Sequence, residues 1–116
     1  MTTHFLRFER APKAKERPRL SRNGKIYTPK ATLEWERDLA EAWKSLGVEV
    51  IKGPVHLETM FGRDYVTIAV TELPESARSK LRGDIDNYQK IVLDALNGVA
   101  YADDRLVVMT SASKLY

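Results

Sequence analysis

Between residues 83 and 105 the chain reads GDIDNYQKIVLDALNGVAYADDR, and this stretch constrains the fold more than any other. Advancing about 100° per residue from Asp86 puts Tyr88, Ile91, Val92, Ala95 and Leu96 on one side. Asn87, Lys90, Asp94 and Asn97 fall on the other, with Leu93 at the flank. The pattern predicts a helix that starts near Asp86 or Asn87, ends at Asn97-Gly98 and buries its apolar side. A helix that only fills a core does not need acids at both ends. Here Asp84 and Asp86 stand at the start, and Asp103 and Asp104 follow the end.

If residues 83–85 are extended, Asp84 and Asp86 point the same way and Ile85 points inward. The loop 99–102 then returns the chain so that Asp103 or Asp104 approaches them. Carboxylates gathered in this way repel one another until protons or a cation intervene. A hard divalent ion suits an all-oxygen donor set, Mg²⁺ first and Mn²⁺ as the alternative. Such a site fits phosphodiester hydrolysis, in which a metal activates water and neutralises phosphate charge. Lys90 lies four residues from both Asp86 and Asp94, placed to stabilise transition-state charge or assist the leaving oxygen. Each residue also has an ordinary reading: Asp86 as a helix cap, Asp84 as a turn residue, Asp103-Asp104 as an acidic loop, Lys90 as a solvated lysine. For Asp94 the ordinary reading, an ion-pair partner of Lys90, is the better one. His4 and His56 lie far from this stretch, so a histidine-based mechanism has little support.

The charge is divided unevenly along the chain. Residues 1–30 hold nine Lys or Arg against two acids, whereas residues 31–116 hold ten against fourteen. A basic arm joined to an acid-bearing body suits a polyanionic substrate. The arm, residues 9–30, offers Lys15, Arg17, Arg19, Arg22, Lys25 and Lys30 to phosphates, with Tyr27 either stacking on a base or packing. Arg78, Lys80 and Arg82, just before the first acid, form a second candidate contact. At 116 residues the chain is expected to be one domain. It has no cysteine, which excludes disulfides and thiolate zinc sites. No run reaches the roughly 20 apolar residues of a membrane helix, and the N-terminus lacks the apolar core of a signal peptide, so the expected compartment is the cytoplasm.

Elsewhere the sequence predicts a strand over 3–8 and a small hairpin turned by Asn23-Gly24. A helix capped by Thr28 then runs from Pro29 to about Leu46, and Gly47 ends it. Its stripe of Leu33, Trp35, Leu39, Ala42, Trp43 and Leu46 marks a core or dimer face. Strands over 55–61 and 65–71 form a hairpin around Gly62-Arg63-Asp64, and a last strand covers 106–110.

Two segments, ERPRLSRNGKIYTPKATLEWE (16–36) and GDIDNYQKIVLDALNGVAYADDR (83–105), resemble the RusA family of Holliday-junction resolvases. The resemblance implies an α/β (α+β) fold with a small mixed sheet packed against two main helices, and a homodimer. It implies Mg²⁺-dependent paired nicking of four-way DNA junctions, in recombination and repair. The family's catalytic acids fall on Asp84, Asp86 and Asp104, with Asp103 as the neighbouring acid, and its essential lysine falls on Lys90. Glu16 stands where many members have glycine, and the chain stops early enough that a final edge strand is short or missing. A C₂ dimer would match the near two-fold symmetry of the junction. The alternatives are a non-catalytic branched-DNA-binding protein, a metal-dependent nuclease on another substrate, and an enzyme acting on a small phosphorylated compound, which the basic arm fits poorly.

Overall fold

The computed structural model describes residues 1–16 and 18–116, and they divide into two compact units, 1–76 and 77–116. Arg17, one of the residues expected to meet phosphate, lies outside the described residues.

The first unit is an antiparallel sheet with a helix on one face. Strand β1 (Thr3–Phe8) is followed by the two-residue strands β2 (Arg19–Leu20) and β3 (Ile26–Tyr27), which pair with each other around the Asn23-Gly24 turn. Helix α1 (Lys30–Lys44) comes next, then the hairpin of β4 (Val55–Phe61) and β5 (Val66–Glu72). The strand order is β1-β5-β4, with Leu6 opposite Ile68 and Phe8 opposite Val66. That register puts Leu6, Phe8, Val66, Ile68 and Val70 on one face, because side chains alternate along a strand.

The face closes under α1. Phe8, Val66 and Ile68 are buried, and Trp35, Leu39, Ala42 and Trp43 of the helix pack against them. Trp35 meets Phe8 edge-on with ring centroids 5.3 Å apart. Burying a side chain such as Val66 contributes about 1.5–3 kcal/mol. Both tryptophans therefore belong to the core. α1 begins after Pro29, which makes no side-chain cap, so Thr28 does not serve as the expected N-cap. Val55, Leu57 and Phe61 of β4 share the core-side face by register but stay exposed, because the helix packs against β1 and β5.

Two expectations for the sheet are corrected. It is antiparallel where a mixed sheet was expected. The expected last strand over 106–110 is absent: Asp104–Leu106 form a 3-10 turn and the residues beyond it have no regular structure. Leu-Val-Val-Met-Thr has strand propensity, but a strand needs a partner edge, and within these residues none pairs with it.

The second unit is built on α2 (Ile85–Leu96). It starts slightly earlier than the periodicity suggested, with Asp84 as N-cap, so the extended run expected over 83–85 stops at Asp84 and Ile85 is already helical. The helix ends at the expected Asn97-Gly98, where Gly98 takes φ +79°, a left-handed conformation that glycine adopts without strain. The Tyr101 hydroxyl donates to the Leu93 carbonyl at 3.0 Å and ties the returning chain to this helix end. The apolar side of α2 is not buried as expected: Ile91 is 70% and Val92 55% exposed. Forty residues hold too little apolar surface to enclose a helix on all sides. Among the described residues no helix is long and apolar enough to cross a membrane.

Candidate active site

The start of α2 fixes where the first two acids stand. Asp84 has extended backbone (φ −71°, ψ 145°), and its carbonyl accepts the Asn87 and Tyr88 amides at 3.1 and 3.2 Å. Its side chain makes no capping bond, so the carboxylate is not spent on the helix. Asp86 lies in the first turn. Both carboxylates are exposed, and both benefit from the positive end of the helix dipole.

Lys90 pairs with Asp94, its Nζ 3.2 Å from Oδ2 and 3.5 Å from Oδ1. Asp94 is thus the ion-pair partner of Lys90, one turn further along the helix. The pair is exposed on both sides, which limits it to about 0.3–0.5 kcal/mol.

The later acids differ from each other. Asp103 caps the 3-10 turn, and its Oδ1 accepts the Arg105 amide at 2.8 Å. The Arg105 guanidinium reaches Oδ1 at 3.2 Å and Oδ2 at 3.3 Å. The backbone bond first, and then the guanidinium, hold the Asp103 carboxyl below its ordinary value. Asp103 is therefore already neutralised within its own turn. Asp104 begins the turn and is exposed.

The oxygen donors suit Mg²⁺ in kind. In arrangement they do not form a ready cage: among the described residues no three His, Cys, Asp or Glu stand close enough to share an ion.

In the basic arm, several cations are already paired. Lys15 meets Glu36 at 3.3 Å, Lys30 meets Glu34 at 3.6 Å, and Arg10 pairs with Asp38. Glu16 is a hub that sequence reasoning passed over. Its Oε1 accepts Lys13 Nζ at 3.0 Å and the buried Thr32 hydroxyl at 3.3 Å, while Oε2 accepts Arg19 at 3.0 Å. The signal was present in the spacing, with Lys13 three residues before and Arg19 three after. Among the described residues Arg22 and Lys25 form no ion pair, and Tyr27 is 46% exposed. In the second unit Lys80 lies over the Tyr116 ring at 5.9 Å, and Arg82 forms no ion pair among the described residues.

The Lys13 bond, assisted by Thr32 and Arg19, lowers the Glu16 pKa below its ordinary 4.5. A carboxyl depressed on folding stabilises the folded arm above that ordinary value, and the contribution is lost as pH falls through the depressed one. Acid should therefore loosen the arm before the sheet unfolds. The Trp35 indole donates to the Ala11 carbonyl at 3.1 Å, so tryptophan fluorescence reports the event. Glu16→Gln should abolish that acid step; an unchanged step in the variant would refute the assignment.

Exposed acids and a lysine stand on one helix, in a chain that also carries a basic arm suited in charge to a polyanion. The family model for endodeoxyribonuclease RusA matches residues 9–116, nearly the whole chain, and the chain belongs to that family. It is accordingly a DNA nuclease. Searches of curated proteins and of solved structures return no match.

Proposed function

We propose that this protein is a Mg²⁺-dependent resolvase that cuts four-way DNA junctions by paired symmetric nicks, acting as a homodimer in cytoplasmic DNA recombination and repair. The observation that carries the reading is the family match, which spans both the basic arm and the segment bearing Asp84, Asp86, Lys90 and Asp104.

Asp84, Asp86 and Asp104 are the residues that would hold Mg²⁺, with Asp103 a weaker donor while Arg105 occupies it. Bound there, the ion would supply the Lewis acidity that phosphodiester hydrolysis requires. Lys90 exchanges Asp94 for the phosphate, a small cost because the pair is exposed. Arg22, Lys25 and Arg82 meet DNA phosphates without giving up an ion-pair partner among the described residues, whereas Lys15, Arg19 and Lys30 trade a carboxylate for a phosphate. Arg78 and Lys80 are further phosphate contacts in this reading, Arg17 is a candidate by its residue type alone, and Tyr27 stacks on a base.

A labelled four-way junction, a flap and a linear duplex, each incubated with Mg²⁺ or EDTA, test the proposal. Paired nicks at symmetric positions on the junction, abolished by EDTA, are expected. Equal cutting of all three substrates would refute junction selectivity. A second reading, a non-catalytic branched-DNA-binding protein, is favoured by one observation: no three acids stand within reach of a single ion among the described residues. Junction binding without cutting in Mg²⁺ or Mn²⁺ would establish it.

A further inference from the structure

The loop that delivers Asp84 to the helix is held from outside by two side chains with no assigned role. We propose that Lys114 and Tyr88 are positioning residues that fix the backbone of residues 81–83 and so aim the carboxylates of Asp84 and Asp86; the proposal rests on the nuclease reading above.

Lys114 is partly buried, and its Nζ donates to the Leu81 carbonyl at 3.3 Å and the Gly83 carbonyl at 3.1 Å. It forms no ion pair among the described residues. An ammonium beside a helix N-terminus is disfavoured by the dipole, so these two carbonyls are what keep it there. Bonds from a charged donor are roughly twice as strong as neutral ones.

The other polar group of Gly83 is held as well. Its N–H donates to the Tyr88 hydroxyl at 3.1 Å. The Tyr88 ring lies so close that a Cβ on Gly83 would meet ring atoms at 2.8 and 2.9 Å. Residue 83 must therefore be glycine while the ring stays in place. Both ends of the Gly83 peptide are pinned, and its carbonyl carbon is bonded directly to the Asp84 nitrogen.

The rest of the loop is held by the same segment. The Ser79 hydroxyl and the Lys80 amide both donate to the Tyr116 carbonyl oxygen, each at 2.6 Å, and the Leu81 amide donates to the Ser79 hydroxyl at 3.0 Å. Lys114 and Tyr88 also line a cleft of about 410 Å³ with apolar walls that include Leu81, Ile85 and Val92. A donor drawn from such surroundings keeps more of its electrostatic strength than one in open water. A stretch without regular structure is thereby given fixed coordinates directly before the acids. Displacing a reacting group by about 1 Å can cost about 10²-fold in rate, so this fixing bears on turnover more than on binding.

The test uses the full chain with Lys114→Met, Lys114→Arg and Tyr88→Phe, and reads two quantities. In metal-free protein, amide exchange at Gly83 should quicken about tenfold in Lys114→Met and Tyr88→Phe, while amides late in α2 are unchanged. On a four-way junction in Mg²⁺, Lys114→Met should lower kcat about tenfold at unchanged KM, and Lys114→Arg should recover to within about threefold. Wild-type kcat with wild-type Gly83 exchange in Lys114→Met would overturn the proposal, as would a parallel loss of junction affinity and of protection throughout α2. If the wild-type protein cuts no DNA, the nuclease reading fails, and the exchange result alone decides whether Lys114 holds the loop.

Discussion

Asp86→Asn is expected to lower the rate of junction cleavage at least about 10³-fold, or about 4 kcal/mol of transition-state stabilisation, while leaving junction binding intact. The substitution keeps the size of the side chain and removes its charge. Asp86 lies in the first turn of α2 and its side chain is exposed, so folding is not at stake. Asp84→Asn should behave alike, since its carboxylate makes no capping bond that the amide would lose. Cleavage under single-turnover conditions, paired with a binding measurement in EDTA, checks both variants. Binding should if anything tighten, because a negative charge facing the DNA has gone. Undiminished cutting by either variant would refute the assignment of these acids.

The second large effect is expected at Lys90. Lys90→Ala should lower the cleavage rate about 10²-fold, the loss typical when one group that stabilises developing charge is removed. Asp94 supplies the control. It holds Lys90 at 3.2 Å, so a merely structural ion pair would make Asp94→Asn as damaging as Lys90→Ala. If Lys90 instead acts on the phosphate, Asp94→Asn should leave the rate within about threefold, because only an exposed pair is lost. Equal effects from the two variants would reduce Lys90 to a helix-surface lysine.

Residues whose partners are close in sequence were legible in advance. The β1 strand, the β4 strand and the Asn23-Gly24 hairpin fall where the alternation and the turn dipeptide put them. The Lys90–Asp94 pair follows from four-residue spacing on one helix. Glu16 and its partners at three residues either side are equally readable from spacing, a pairing that net charge alone conceals. Asp103 was read as one of a doublet, yet its partner is Arg105, two residues on. By contrast, nothing local marks Lys114, which reaches carbonyls 31 and 33 residues earlier in the chain.

The sequence by itself determined the acids, the lysine, the basic arm and the periodicity of both helices, and through the family's two segments it determined the kind of chemistry. Those properties belong to residue types and short spacings, which a chain carries whether or not it is folded. Only the tertiary structure decided that Lys114 meets the Leu81 and Gly83 carbonyls and that Trp35 of α1 meets Phe8 of β1. The reason is one of range. A hydrogen bond is made within about 3 Å, and which distant groups come that close depends on how the whole chain turns back on itself.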